Sequence, residues 1–159
     1  MYASELVKNV ESAMTDHVLD TVEAHACALT AALASGNGEL AFEISMDKVL
    51  FGNDIRETVA KAVIFESMNA NYMAYTAAAQ REDIEVDSTG YYMDDFKQFG
   101  GIEPEKFLLF CLVAAIVNRS DGSIQNKMHL LKQHGVPQGK IQSAARIASV
   151  IPSIGKCLL

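Results

Sequence analysis

The chain has few cysteines, no run of basic residues, no apolar run long enough for a bilayer and no sustained alternation of apolar and polar residues. Each absence removes a class of protein. Its three cysteines, Cys27, Cys111 and Cys157, are dispersed and odd in number, without the spacing of a metal site or a disulfide framework. They read as free thiols of a reducing cytoplasm. A net charge of −7 and the absence of basic clusters speak against nucleic acid or an anionic membrane as partner. The longest apolar run, Phe107 to Val117, is far shorter than the roughly 20 residues that span a bilayer. No basic segment followed by an apolar one opens the chain, so no signal peptide is expected. Missing alternation excludes strands as the main element.

What is present is a chain of 159 residues, half of them hydrophobic and 21% charged. That size suits one domain over 1–159, burying about 70% of the surface its unfolded chain would expose. Leu6, Val10, Met14, Val18 and Val22 recur at helical spacing, giving one or two helices before the Ser35-Gly36-Asn37-Gly38 break. A helix over Glu39 to Phe51 is expected next, with Gly52 just past its end. Asp54-x-x-Glu57 has the pattern of a capping box and opens a further helix. Gln80 to Thr89 reads as a polar loop, and Tyr91 to Phe99 as a short helix stopped by Gly100-Gly101. Pro104 suits a first helical turn, and the helix it opens is apolar on every side, which places it at the centre of the core. Ser120 or Asp121 caps the following helix, Gly135 ends it, Pro137 opens the last and Pro152 closes it. The fold class is therefore all-α.

A faint internal repeat runs through this pattern. Ile55 to Tyr75 reads as helix, small polar break (Met68-Asn69-Ala70-Asn71) and helix, and Pro104 to His129 does the same around Asn118-Arg119-Ser120-Asp121. Two related helical hairpins are expected. The second hairpin holds two serines, Ser120 and Ser123, at the head of a helix, where a thiol-redox protein carries Cys-x-x-Cys. With Asn118 before them, Gly135-Val136 after them, the Ala-rich helix around Ala144-Ala145-Arg146-Ile147-Ala148, and Met68-Asn69-Ala70-Asn71-Tyr72 in the first half, the chain resembles the AhpD-like (carboxymuconolactone decarboxylase) family.

The resemblance implies an all-helical fold, association into a trimer or hexamer, and a peroxidase or disulfide-reductase centre made of Glu, two Cys and His. Carried over position by position, the cysteines fall on Ser120 and Ser123, the histidine on Lys127 and the glutamate on Leu108. All four are replaced. Disulfide exchange needs a thiolate as nucleophile and leaving group, and a serine hydroxyl supplies neither at neutral pH. Cys111 lies two and a half helical turns before Ser120, in an apolar run where burial raises a thiol pKa.

Two functions follow as expectations. One is a protein without cofactor or metal that has lost the redox centre and persists as a binding or structural protein, with itself and a small-molecule ligand as partners, in an antioxidant context. The other is a lyase of the decarboxylase branch that works through Lys127, His129 and Glu105. A polar cluster of Ser120, Ser123, Lys127 and His129 lining the former active-site cavity is one arrangement. The other is a solvated face on which Lys127 joins Lys132 and His134, with the serines capping the helix. A Ser123–Lys127 dyad at i, i+4 is a further geometric option, short of an oxyanion hole and a neutral lysine. The acidic run Glu82-Asp83-x-Glu85-x-Asp87 lacks the glycine and oxygen spacing of a calcium loop and reads as a solvated segment. Tyr91, Tyr92 and Met93 read as core or subunit-interface filling, and Phe96 and Phe99 add apolar surface that, by the resemblance, an oligomer would cover.

Overall fold

A computed structural model describes residues 2–47, 50–86 and 103–157. Among these residues it is all-helical: α1 (Tyr2–Met14), α2 (Thr21–Ala34), α3 (Gly38–Ser45), α4 (Asn53–Arg81), α5 (Pro104–Val117), α6 (Asp121–Gln133) and α7 (Gln138–Ile154). No helix of the described residues is long and apolar enough to cross a membrane.

The centre is α5. Phe107 to Ala115 are all buried, so no face of the helix meets water. Its neighbours surround it, with α4, α6, α7 and α2 each packed against it. An apolar helix without a polar stripe has no other stable place, since each Leu or Phe gains about 1.5–3 kcal/mol from burial. The buried alanines of α2 (Ala24, Ala26, Ala28, Ala31, Ala32) allow that helix to approach α5, α7 and α4 closely. Asp20 starts α2 with a reciprocal capping box: Glu23 N–H donates to Asp20 Oδ1 at 2.7 Å and Asp20 N–H to Glu23 Oε2 at 3.0 Å.

Four helices end in the same way. The amide two residues past the cap bonds back to the third-last helical carbonyl, closing α2 (Asn37 to Ala32, 3.1 Å), α4 (Ile84 to Ala79, 2.9 Å), α5 (Ser120 to Ala115, 3.1 Å) and α6 (Val136 to Leu131, 3.0 Å). Each such turn needs one residue with positive φ. Gly36, Asp83, Arg119 and Gly135 provide it, at φ 77, 55, 55 and 75. Glycine takes that conformation freely and aspartate tolerates it, but an arginine is strained by about 1–2 kcal/mol.

The structure departs from the sequence-based expectations at five places. The third helix stops at Ser45, and Gly52 is the N-cap of α4, not the residue past the end of α3. Asp54 lies inside α4, so the Asp54-x-x-Glu57 box does not form. The Met68-Asn69-Ala70-Asn71 segment does not break the chain, and α4 runs unbroken for 29 residues. Asparagine costs only a few tenths of a kcal/mol in a helix interior, too little to stop one flanked by alanines and methionines. Only the α5–α6 half of the expected hairpin pair turns back on itself. Pro152 sits within the last turn of α7 instead of ending it. The expected helix over Tyr91 to Phe99 and its apolar residues lie outside the described residues, as does Asp87 of the acidic run.

Candidate functional site

Two helical stripes, one from α4 and one from α6, meet around Ser123 and Lys127. On α4 the inward positions are Thr58, Val59, Ala62 and Glu66, spaced as one face of a 3.6-residue helix. On α6 they are Ser123, Lys127 and Leu131, spaced i, i+4 and i+8. A glutamate and a lysine thus occupy apolar lines, and each finds the other. Glu66 is fully buried, and Lys127 is 6% and Ser123 5% exposed.

The contacts are specific. Ser123 Oγ donates a short hydrogen bond to Glu66 Oε2. Lys127 Nζ lies 3.1 Å from Glu66 Oε1 as an ion pair. That oxygen takes no aligned hydrogen bond, so its contact with the ammonium is Coulombic. Lys127 also donates to Asn126 Oδ1 at 3.4 Å and stands 5.3 Å from the centroid of the Phe65 ring, within cation–π range. Below them, the Cys111 thiol is pushed well above its ordinary range. Burial is the main cause, the Glu66 charge the second, and Lys127 opposes both. A thiol so placed stays protonated and unreactive.

The expected site residues therefore separate. Ser123 and Lys127 come together, whereas Ser120 and His129 do not join them. Lys127 is buried against Glu66, not on a solvated face with Lys132 and His134, which are both exposed. The reason is its i, i+4 relation to Ser123 and Leu131, which turns it inward. His129, two residues on, is exposed, as helical geometry requires. Ser123 does not cap α6. Ser120 holds the N-cap position, but its hydroxyl makes no capping bond and instead faces Met73 Sδ at 3.8 Å. Leu108 is a core residue, 1% exposed. The carboxylate of this centre comes from α4 and not from position 108.

The cluster is closed, with Glu66 Oε1 held by the Lys127 charge alone. The serine proton is directed at a carboxylate and the lysine is held by the same carboxylate, so the pair is not arranged as a nucleophile and its base. Glu105, the remaining lyase candidate, sits elsewhere. It pairs with His134 at 3.5 Å in a cleft of about 200 Å³ that also holds the Glu23–Lys140 pair at 2.9 Å. The other two thiols differ in placement: Cys27 is buried with its pKa pushed up by desolvation, then by Glu23 and Asp20, and Cys157 is exposed. No group of three or more His, Cys, Asp or Glu among the described residues could hold a metal ion.

Glu66 was the residue that sequence reasoning missed. Its signal was present, since Thr58, Val59, Ala62 and Glu66 share one helical face and a lone carboxylate on such a face requires a partner. A scan against protein-family models and a search of curated proteins each find no match for the chain.

Proposed function

We propose that this chain is an AhpD-like (carboxymuconolactone decarboxylase family) protein without the family's redox centre and without peroxidase or disulfide-reductase activity. It serves as a binding or structural protein, assembles with itself as a trimer or hexamer, and works in an antioxidant setting. One observation carries the reading. At the positions of the second cysteine and the histidine, Ser123 hydrogen-bonds to Glu66 and Lys127 forms a buried ion pair with it. Such a cluster resists opening, because removing either charge strands the other in a low-dielectric interior. It supports a centre turned over to holding the fold.

The test is a peroxide-consumption assay with a dithiol reductant. The expected rate equals that of reductant alone. A rate above this background that disappears in Cys111→Ala would overturn the proposal. The lyase reading has less support, since Lys127 is closed in, His129 faces solvent, and Glu105 is paired with His134 in a separate cleft. Turnover of a muconolactone that is lost in Glu105→Gln would restore it.

A further inference from the structure

The turn that closes α5 explains the positive φ at position 119 but not why an arginine occupies it. Three other helices close with the same turn, two through glycine and one through aspartate, residues that accept positive φ readily. Strain kept in a bulky side chain points to a role for that side chain.

Arg119 lines a cleft of about 620 Å³, larger than the Glu105–His134 cleft, at the end of the bundle where α2, α5 and α7 all terminate. Lys156 lines it too. So do Ala34, Val117 and Pro152, which give it an apolar side, and Asn37, whose amide nitrogen packs against Gly155. No carboxylate of the described residues lines it. Neither cation makes an ion pair among the described residues. The charge here opposes the net −7 of the chain. Part of it offsets helix ends: the three carboxyl ends and the one amino end, that of α3, amount to about one negative charge. Two cations exceed that by about one. We propose that this cleft binds a small organic anion with an apolar body, its carboxylate held by Arg119 and Lys156 and its chain laid along Ala34, Val117 and Pro152. The site does not depend on the family assignment.

Octanoate is the probe, followed by amide chemical shifts and by calorimetry on the full chain. Expected are shifts confined to residues 34–37, 117–120 and 152–156, and an affinity that falls by about tenfold or more when both charge-assisted contacts are removed in Arg119→Asn/Lys156→Gln. Asparagine tolerates the left-handed turn, so the variant keeps the backbone. Lys156→Gln alone, at an exposed position, gives a second reading if the double variant does not fold. No shifts at about 10 mM octanoate, a millimolar limit on affinity, would overturn the proposal. So would equal binding of octyltrimethylammonium, or equal binding of inorganic phosphate, which would mark an ion site with no place for the chain.

Discussion

At the scale of single residues, the centre of this protein is set by one carboxylate. Glu66 accepts the Ser123 hydroxyl and faces the Lys127 ammonium, and its burial makes each partner obligatory. Ser123→Ala leaves Oε2 without its donor, and a loss of about 1.5–3 kcal/mol is expected in urea unfolding, the range for hydrogen bonds to charged groups. A second carboxylate reports on pH. Asp16 is held below its ordinary value of 3.8, first by the Ser143 hydroxyl, which donates to it at 2.6 Å. Desolvation opposes this as the next largest effect, and Val18 N–H and Arg146 add smaller lowering contributions. A lowered carboxyl pKa adds stability above the unfolded value, and that stability is lost as pH falls through the folded one. Thermal unfolding of the wild type should therefore weaken more steeply than that of Asp16→Asn between about pH 5 and pH 3. Equal slopes would mean that the Ser143 contact does not persist in solution. Of these residues, the i, i+4 pairing of Ser123 and Lys127 was legible from spacing, but the burial of Lys127 was not, since a solvated face was the alternative reading. The inward face of Glu66 was also legible from spacing, but its partner was not, because Ser123 lies 57 positions away.

At the scale of elements, physical chemistry wrote the helices unevenly into the sequence. The apolar run of α5, Pro104 at its first turn and Gly135 after α6 all act through their own backbone or burial, so they could be read directly. The Asp20-x-x-Glu23 box was just as local but went unread, and the similar Asp54-x-x-Glu57 pattern misled because Gly52 already starts α4. The expected break at Met68-Asn69-Ala70-Asn71 failed for a different reason. Packing of α4 against α5 and α2 outweighs the small helix cost of two asparagines. Two variants test these assignments. Gly135→Ala forces a Cβ into a φ of 75, and a loss of about 1 kcal/mol is expected. Leu108→Ala opens a cavity in α5, and about 2–5 kcal/mol is expected. A near-neutral Leu108→Ala would contradict the central place of α5.

At the scale of the whole molecule, the helices bring their apolar lines together around α5 and carry two of the three thiols inside. Maleimide labelling at neutral pH, read by intact mass, should modify Cys157 alone in the native chain and all three cysteines in denaturant. Rapid native labelling of Cys111 would mean that the centre opens. What the sequence left hidden at this scale is how α4 and α6 are held in register, and Glu66 with Lys127 supplies that link across two helices. A double-mutant cycle on this pair tests the account most directly. Lys127→Met alone should lose about 3–5 kcal/mol, because it strands a buried charge. The double variant Glu66→Leu/Lys127→Met should recover most of that loss or exceed wild-type stability by about 1–4 kcal/mol. Additive losses, with the double variant as weak as the two single changes summed, would show that Glu66 and Lys127 do not pair in the folded protein.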